Sequence, residues 1–161
     1  MLNMQFAHND PDDFHERELT LHDCVAEKIV FENNTIRFFF PDGFWVTPNH
    51  DANDSDNTVR TDTAQVDFCV EDINDIGIWV FTRTIFRKTV VEFWDVKKLA
   101  DAVNSGKCTI EFLYQYRNFF EQMWRCELHF NKKPYHAECQ LYLPKSEATY
   151  RWNNLRFDRQ W

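Results

Sequence analysis

At 161 residues, with 43% hydrophobic and 17% aromatic residues, the chain has the size and composition of one domain with an aromatic-rich core. Its net charge of -8 disfavours nucleic-acid phosphates and anionic membranes, because such binding is driven by Lys and Arg. Met1 to Asp10 has neither the basic start nor the apolar run of a signal peptide, and no segment approaches the ~20 apolar residues of a membrane span, so the protein is expected in the cytoplasm.

Residues 1–18 are polar, with His8, Asp10, Pro11, Asp12 and Asp13, and read as a loosely ordered arm in front of a single β domain at 19–161. From Leu19 to Phe31 every second residue is Leu19, Leu21, Asp23, Val25, Glu27, Ile29 and Phe31, an interrupted apolar row that predicts a long strand with a bulge. Glu32-Asn33-Asn34-Thr35 offers a tight turn into Ile36, Phe38 and Phe40, which predicts a β-hairpin. Asp42-Gly43 is a second turn signal before Phe44, Trp45 and Val46.

Between Pro48 and Thr61 the run of Asn and Asp predicts a surface loop. Alternation returns with Ala64, Val66, Phe68 and Val70 against Gln65, Asp67, Cys69 and Glu71, and again from Ile76 to Phe93 with breaks at 72–75 and near Arg87-Lys88. Val96, Leu99, Ala100 and Val103 follow a helical period, with Asp95 placed as N-cap and Gly106 as stop, so one short helix is expected at about 95–105. Three further runs, through Ile110 to Tyr116, Phe120 to Phe130 and Tyr135 to Leu143, form a meander, and Tyr150 to Phe157 supplies a last strand. The fold class is mostly antiparallel β, a sandwich or partly closed barrel of about seven or eight strands with one helix that covers an open end or a sheet edge.

No phosphate loop, His-Glu-x-x-His or Gly-x-Ser-x-Gly pattern occurs, and no cofactor is implied. Cys24, Cys69, Cys108, Cys126 and Cys139 lack Cys-x-x-Cys spacing and read as reduced core thiols, not zinc ligands. His22 and Cys24 share a strand face as a conceivable nucleophile pair, but a thiolate pair needs closer contact and an oxyanion site. Asp23, in an apolar row, is expected to be a structural anchor, a buried carboxylate held by an Arg or turn amides. Asp51, Asn53, Ser55, Asn57 and Asp62 fall at the ligand positions of a calcium loop, but the glycine at position 6 is replaced by Asp56 and no helices flank it, so a solvated loop is favoured. His22, Phe39, Trp45 and Trp79 are the candidates for an interaction or ligand surface, since Phe39 and Trp79 stand opposite their strands' other apolar residues.

The stretch Leu21-His22-Asp23-Cys24, with Ile29, Phe31, Asn33-Asn34, Ile36, Phe38 and Phe40-Pro41-Asp42-Gly43-Phe44, resembles the opening hairpin of small bacterial domains of unknown function. Some members of such families are similar to immunity proteins that neutralise toxins from neighbouring bacteria. The resemblance covers the first part of the chain and implies a small cytosolic binding protein without catalytic residues; an acidic immunity-like protein suits a basic nuclease toxin. Two functions follow as expectations. The first is a non-enzymatic protein-interaction domain with a basic partner. The alternative is a small-molecule or carbohydrate-binding β domain with weak enzymatic activity, in which His22, His129 or His136 titrates.

Overall fold

The computed structural model describes residues 6–10, 18–84, 86–118, 120–144 and 146–161. Strands β1 (Phe6–Asp10), β2 (Leu19–Thr20), β3 (Cys24–Ala26), β4 (Lys28–Glu32), β5 (Thr35–Phe40) and β6 (Trp45–Val46) lead into β7 (Val59–Thr61) and β8 (Ala64–Cys69). A 3-10 turn at Ile73–Asp75 precedes β9 (Gly77–Arg83), β10 (Thr89–Trp94) and the helix α1 (Val96–Asn104). The chain ends with β11 (Cys108–Arg117), β12 (Glu121–Phe130), β13 (His136–Pro144), β14 (Glu147–Trp152) and β15 (Leu155–Gln160). Among the described residues no helix is long and apolar enough to cross a membrane.

The strands form three antiparallel sheets, ordered β1-β14-β8-β5-β4, β10-β9-β13-β12-β11-β3 and β15-β7-β6-β2, and none closes into a barrel among the described residues. The expected class therefore holds, as a sandwich-like stack of open sheets. The five- and six-stranded sheets face each other through Phe38 and Phe40 against Phe112, at ring separations of 5.1 and 5.6 Å, and through Phe68 against Trp124. The four-stranded sheet closes one end, where Phe44 meets Tyr150 and Trp152 edge to face. Edge-to-face geometry adds to area burial because the positive ring edge meets the negative face of its neighbour.

Among the described residues fifteen strands replace the seven or eight expected, because several alternating runs are cut where the chain changes sheets. The run 19–32 is the clearest case. It supplies β2 to the small sheet, β3 to the six-stranded sheet and β4 to the five-stranded sheet. The break between β2 and β3 is a turn in which the amide of Cys24 donates to the carbonyl of Leu21. Residues 6–10 of the expected loose arm instead pair with β14 as an edge strand, and the remainder of that arm lies outside the described residues apart from Glu18.

Turn chemistry follows the sequence closely. Asn33 and Asn34 both adopt left-handed backbone between β4 and β5, as a two-residue hairpin requires. Gly43 has φ +72, and a Cβ there would stand 2.3 Å from the Asp62 carbonyl oxygen and 2.5 Å from that of Thr61, so the neighbouring backbone approaches too closely for any side chain. Helix α1 runs Val96–Asn104 with the Asp95 carboxylate accepting from the Lys98 amide at 2.6 Å, and Val96, Leu99, Ala100 and Val103 are buried as the periodicity predicts. Its last residue caps a sheet edge: Asn104 Oδ1 accepts from the Ile29 amide at 2.8 Å and its Nδ2 donates to the Ile29 carbonyl at 2.7 Å.

Candidate functional site

Asp23 is not a buried anchor. Its side chain is exposed, and its backbone lies at φ 55 in the turn before β3, where its amide donates to the Phe112 carbonyl at 2.8 Å. The turn takes Asp23 out of the alternation that placed it in the apolar row. The carboxylate that is buried is Asp67, 6% exposed on the outward face of the five-stranded sheet. Arg37, its direct cross-strand neighbour, donates from Nε at 2.6 Å and Nη2 at 2.7 Å, and Arg151 Nη1 donates at 2.6 Å. Burial alone would raise the Asp67 pKa, but the hydrogen bonds from Arg37 and Arg151 more than offset this and hold it below the usual carboxylate value.

His22 and Cys24 make no nucleophile pair. Burial pushes the Cys24 thiol up to about 12, and its Sγ faces the His22 carbonyl at 3.4 Å. Cys108, Cys126 and Cys139 are likewise buried, whereas Cys69 is exposed, against the expectation of a core thiol. His22 instead joins Trp45, as the indole Nε1 donates to the His22 carbonyl at 3.0 Å. Trp161 stacks on the His22 ring at 5.6 Å and lies 5.9 Å from Trp45, while Tyr114 sits 5.4 Å from His22. Two of the four surface candidates thus meet, with two aromatic partners that no local pattern announced.

Phe39 and Trp79 do not join them. Phe39 is half-buried on the outward face of the five-stranded sheet, beneath the Lys28 ammonium at 5.2 Å. Trp79 lies on the outward face of the six-stranded sheet, 41% exposed and edge-on to Phe93 at 5.3 Å. Two of the residues weighed as calcium ligands have other partners. Asn53 is buried, donating to the carbonyls of Val46 and Asn57, and the Asp62 carboxylate takes the Asn153 amide and Asn154 Nδ2.

The outward face of the six-stranded sheet is where unusual chemistry collects. One cross-strand row runs Val91, Phe81, Glu138, Glu127, Glu111 and Val25 in register across all six strands. The row is apolar at the β10 end and then carries three adjacent carboxylates, an arrangement in which like charges stand directly opposite one another and repel. Three contacts offset that repulsion: Arg125 Nη2 reaches Glu138 at 3.1 Å, His129 Nε2 reaches Glu111 at 2.7 Å, and His136 Nδ1 reaches Glu127 at 2.9 Å. His129 and His136 face each other across the β12–β13 pair, their Nδ1 atoms 3.2 Å apart. Glu127, His129 and His136 are the residues best placed to hold a metal ion among those described.

At the other end of the face the β9–β10 hairpin overhangs the sandwich. Every residue of β10 before Trp94 is exposed, Val90 and Val91 pointing to opposite faces, with Phe93 at 56% and Phe86 at 80%. On the inward side the overhang roofs a cleft of about 740 Å³ lined by Val80, Thr82, Val90, Trp94, Lys107 and Lys132. Neither a family model, nor a curated protein, nor a solved structure matches the chain.

The bulge between Phe112 and Tyr114 was also invisible in the alternation. It leaves Phe112 in the core and turns Tyr114 and Tyr116 outward, each about half exposed. The His129–His136 pair had a legible signal: the two residues stand symmetrically about 131–134, the segment between the Phe120–Phe130 and Tyr135–Leu143 runs, and so become cross-strand partners once the hairpin closes.

Proposed function

We propose that the protein is a non-enzymatic, cytoplasmic binding domain whose outward six-stranded face docks a partner protein carrying an apolar anchor beside Lys or Arg side chains. The observation that carries this reading is the cross-strand row from Val91 and Phe81 into Glu138, Glu127 and Glu111, next to the exposed Trp79–Phe93 pair. An exposed apolar patch contiguous with aligned carboxylates weakens a free monomer and gains on contact with a surface of matching chemistry. The net charge of -8 supports a basic partner. A basic toxin is the partner class that the opening hairpin's resemblance implies.

A photoreactive residue at Trp79, introduced in cells that make the protein, should give a discrete adduct with a second protein, and the same probe at Phe39 on the opposite face should not. Glu127→Gln with Glu138→Gln should weaken the Trp79 adduct. Equal adducts from both positions, an adduct only between two copies of this chain, or no adduct at all would overturn the reading.

A second reading, small-molecule binding, is favoured by the cleft beneath the hairpin, whose volume falls within the range of ligand sites and whose rim carries Lys107, Lys132 and Lys133. Val90→Arg would fill the cleft while leaving Trp79, Phe93 and the glutamate row in place, and so separates the two readings.

A further inference from the structure

We infer that Glu127, His129 and His136 form a binding site for a divalent transition-metal ion, with Glu111 as the residue that orients His129. The site shares Glu127 and Glu111 with the carboxylate row of the proposed docking face, lies apart from the Trp79–Phe93 pair, and is tested without any partner.

The inference begins with strand geometry. β12 and β13 are long paired strands, and Glu127, His129 and His136 project from the same face of that pair, His129 directly opposite His136. Rigid neighbouring strands fix the ligand backbones before any ion arrives, which reduces the ordering that binding requires.

The distances suit a small ion. A tetrahedral centre with ligand bonds of about 2.0–2.1 Å separates its ligand atoms by roughly 3.3 Å. The two Nδ1 atoms stand 3.2 Å apart and the Glu127 Oε1 lies 2.9 Å from His136 Nδ1. All three ligand atoms fall within 4.8 Å of one another, so a small rotation of the Glu127 carboxylate brings them to a common centre. Two imidazole nitrogens and one carboxylate oxygen select a borderline divalent ion such as zinc over calcium or magnesium, which prefer all-oxygen sets. Three protein ligands leave a fourth position open to water or to a donor from another molecule.

Glu111 supplies the independent observation. Its carboxylate contacts the far nitrogen of the same ring, His129 Nε2, at 2.7 Å. A carboxylate accepting the Nε2 hydrogen fixes the tautomer that leaves the Nδ1 lone pair directed at His136 and Glu127. Metal-bound histidines are characteristically oriented in this way by a carboxylate behind the ring. An ion would also neutralise charge on the two carboxylates of the row nearest it. His136 is the exposed member and gives the ion its route in.

Isothermal titration of the full chain with zinc chloride tests the site. Wild-type protein should bind one ion saturably, His136→Ala should abolish that heat, and Glu111→Gln should weaken binding roughly 10- to 100-fold. Thermal melts monitored by circular dichroism should overlay for wild type and His136→Ala in the presence of a chelator, showing that the fold survives the change. Cys69→Ser should bind as wild type does. Absence of a saturable heat, undiminished binding by His136→Ala, or loss of binding by Cys69→Ser would each overturn the site. Unchanged affinity in Glu111→Gln would overturn the orienting role of Glu111.

Discussion

At the scale of single residues, Asp67 decides more than Asp23. An aspartate in an apolar row looked like a group forced inside, but a single left-handed residue turned it to solvent. Asp67 sat on a polar face in the sequence and is buried because Arg37 and Arg151 fold over it from both neighbouring strands. Sequence alternation reports which face a side chain leaves from, and it does not report what its cross-strand neighbours then cover. Removing one partner of such a group leaves charge uncompensated, so Asp67→Asn should destabilise the protein by about 3 kcal/mol at pH 7, toward the lower end for buried pairs because both guanidinium groups keep about a third of their surface. Urea denaturation measures this. Because folded Asp67 titrates below its unfolded value, the folded state holds fewer protons, and the stabilisation is complete above an unfolded pKa of about 3.9. It fades as pH falls through the lower folded value. The stability gap between wild type and Asp67→Asn should therefore shrink in acid, and a gap constant from neutral pH into that range would contradict the assignment.

At the scale of elements, the helix and the tight turns were legible because their signals are local. Asp95, the apolar stripe from Val96 to Val103 and the Asn33-Asn34 pair act within a few residues of themselves. Asp95→Ala should lower stability by about 1 kcal/mol through loss of the cap, and the melting temperature by roughly 2–4 °C. An unchanged melting temperature would mean that tertiary packing alone holds the first turn. The strand count was not legible, because whether 19–32 is one strand or three depends on which distant strand each piece meets: β3 pairs with β11, β4 with β5 and β2 with β6. The candidate site was half legible. His22 and Trp45 meet, yet Trp161 reaches them from the far end of the chain, and the glutamate row exists only once the β11–β12 and β12–β13 registers are set.

At the scale of the molecule, those long-range pairings govern how the chain folds. Cys24 pairs with Phe112 and Phe6 with Trp152, so closing either contact orders most of the chain at once. Loop-closure entropy of that kind places refolding in the range of milliseconds to seconds, and stopped-flow tryptophan fluorescence should find its main phase there. A full-amplitude microsecond phase would contradict a topology dominated by distant pairs.

Asn104 adds a consequence for crowding at high protein concentration. Its amide presents one donor and one acceptor to Ile29, much as a neighbouring strand would, so that point on the rim of the five-stranded sheet is already occupied by the chain itself. In the six-stranded sheet the long rim is β10, and the opposite rim is the three-residue β3. Two copies that meet through β10 would use up the one long open rim each has in that sheet. Strand addition through that sheet then stops at a pair, because no second long rim remains in it to carry the stack on.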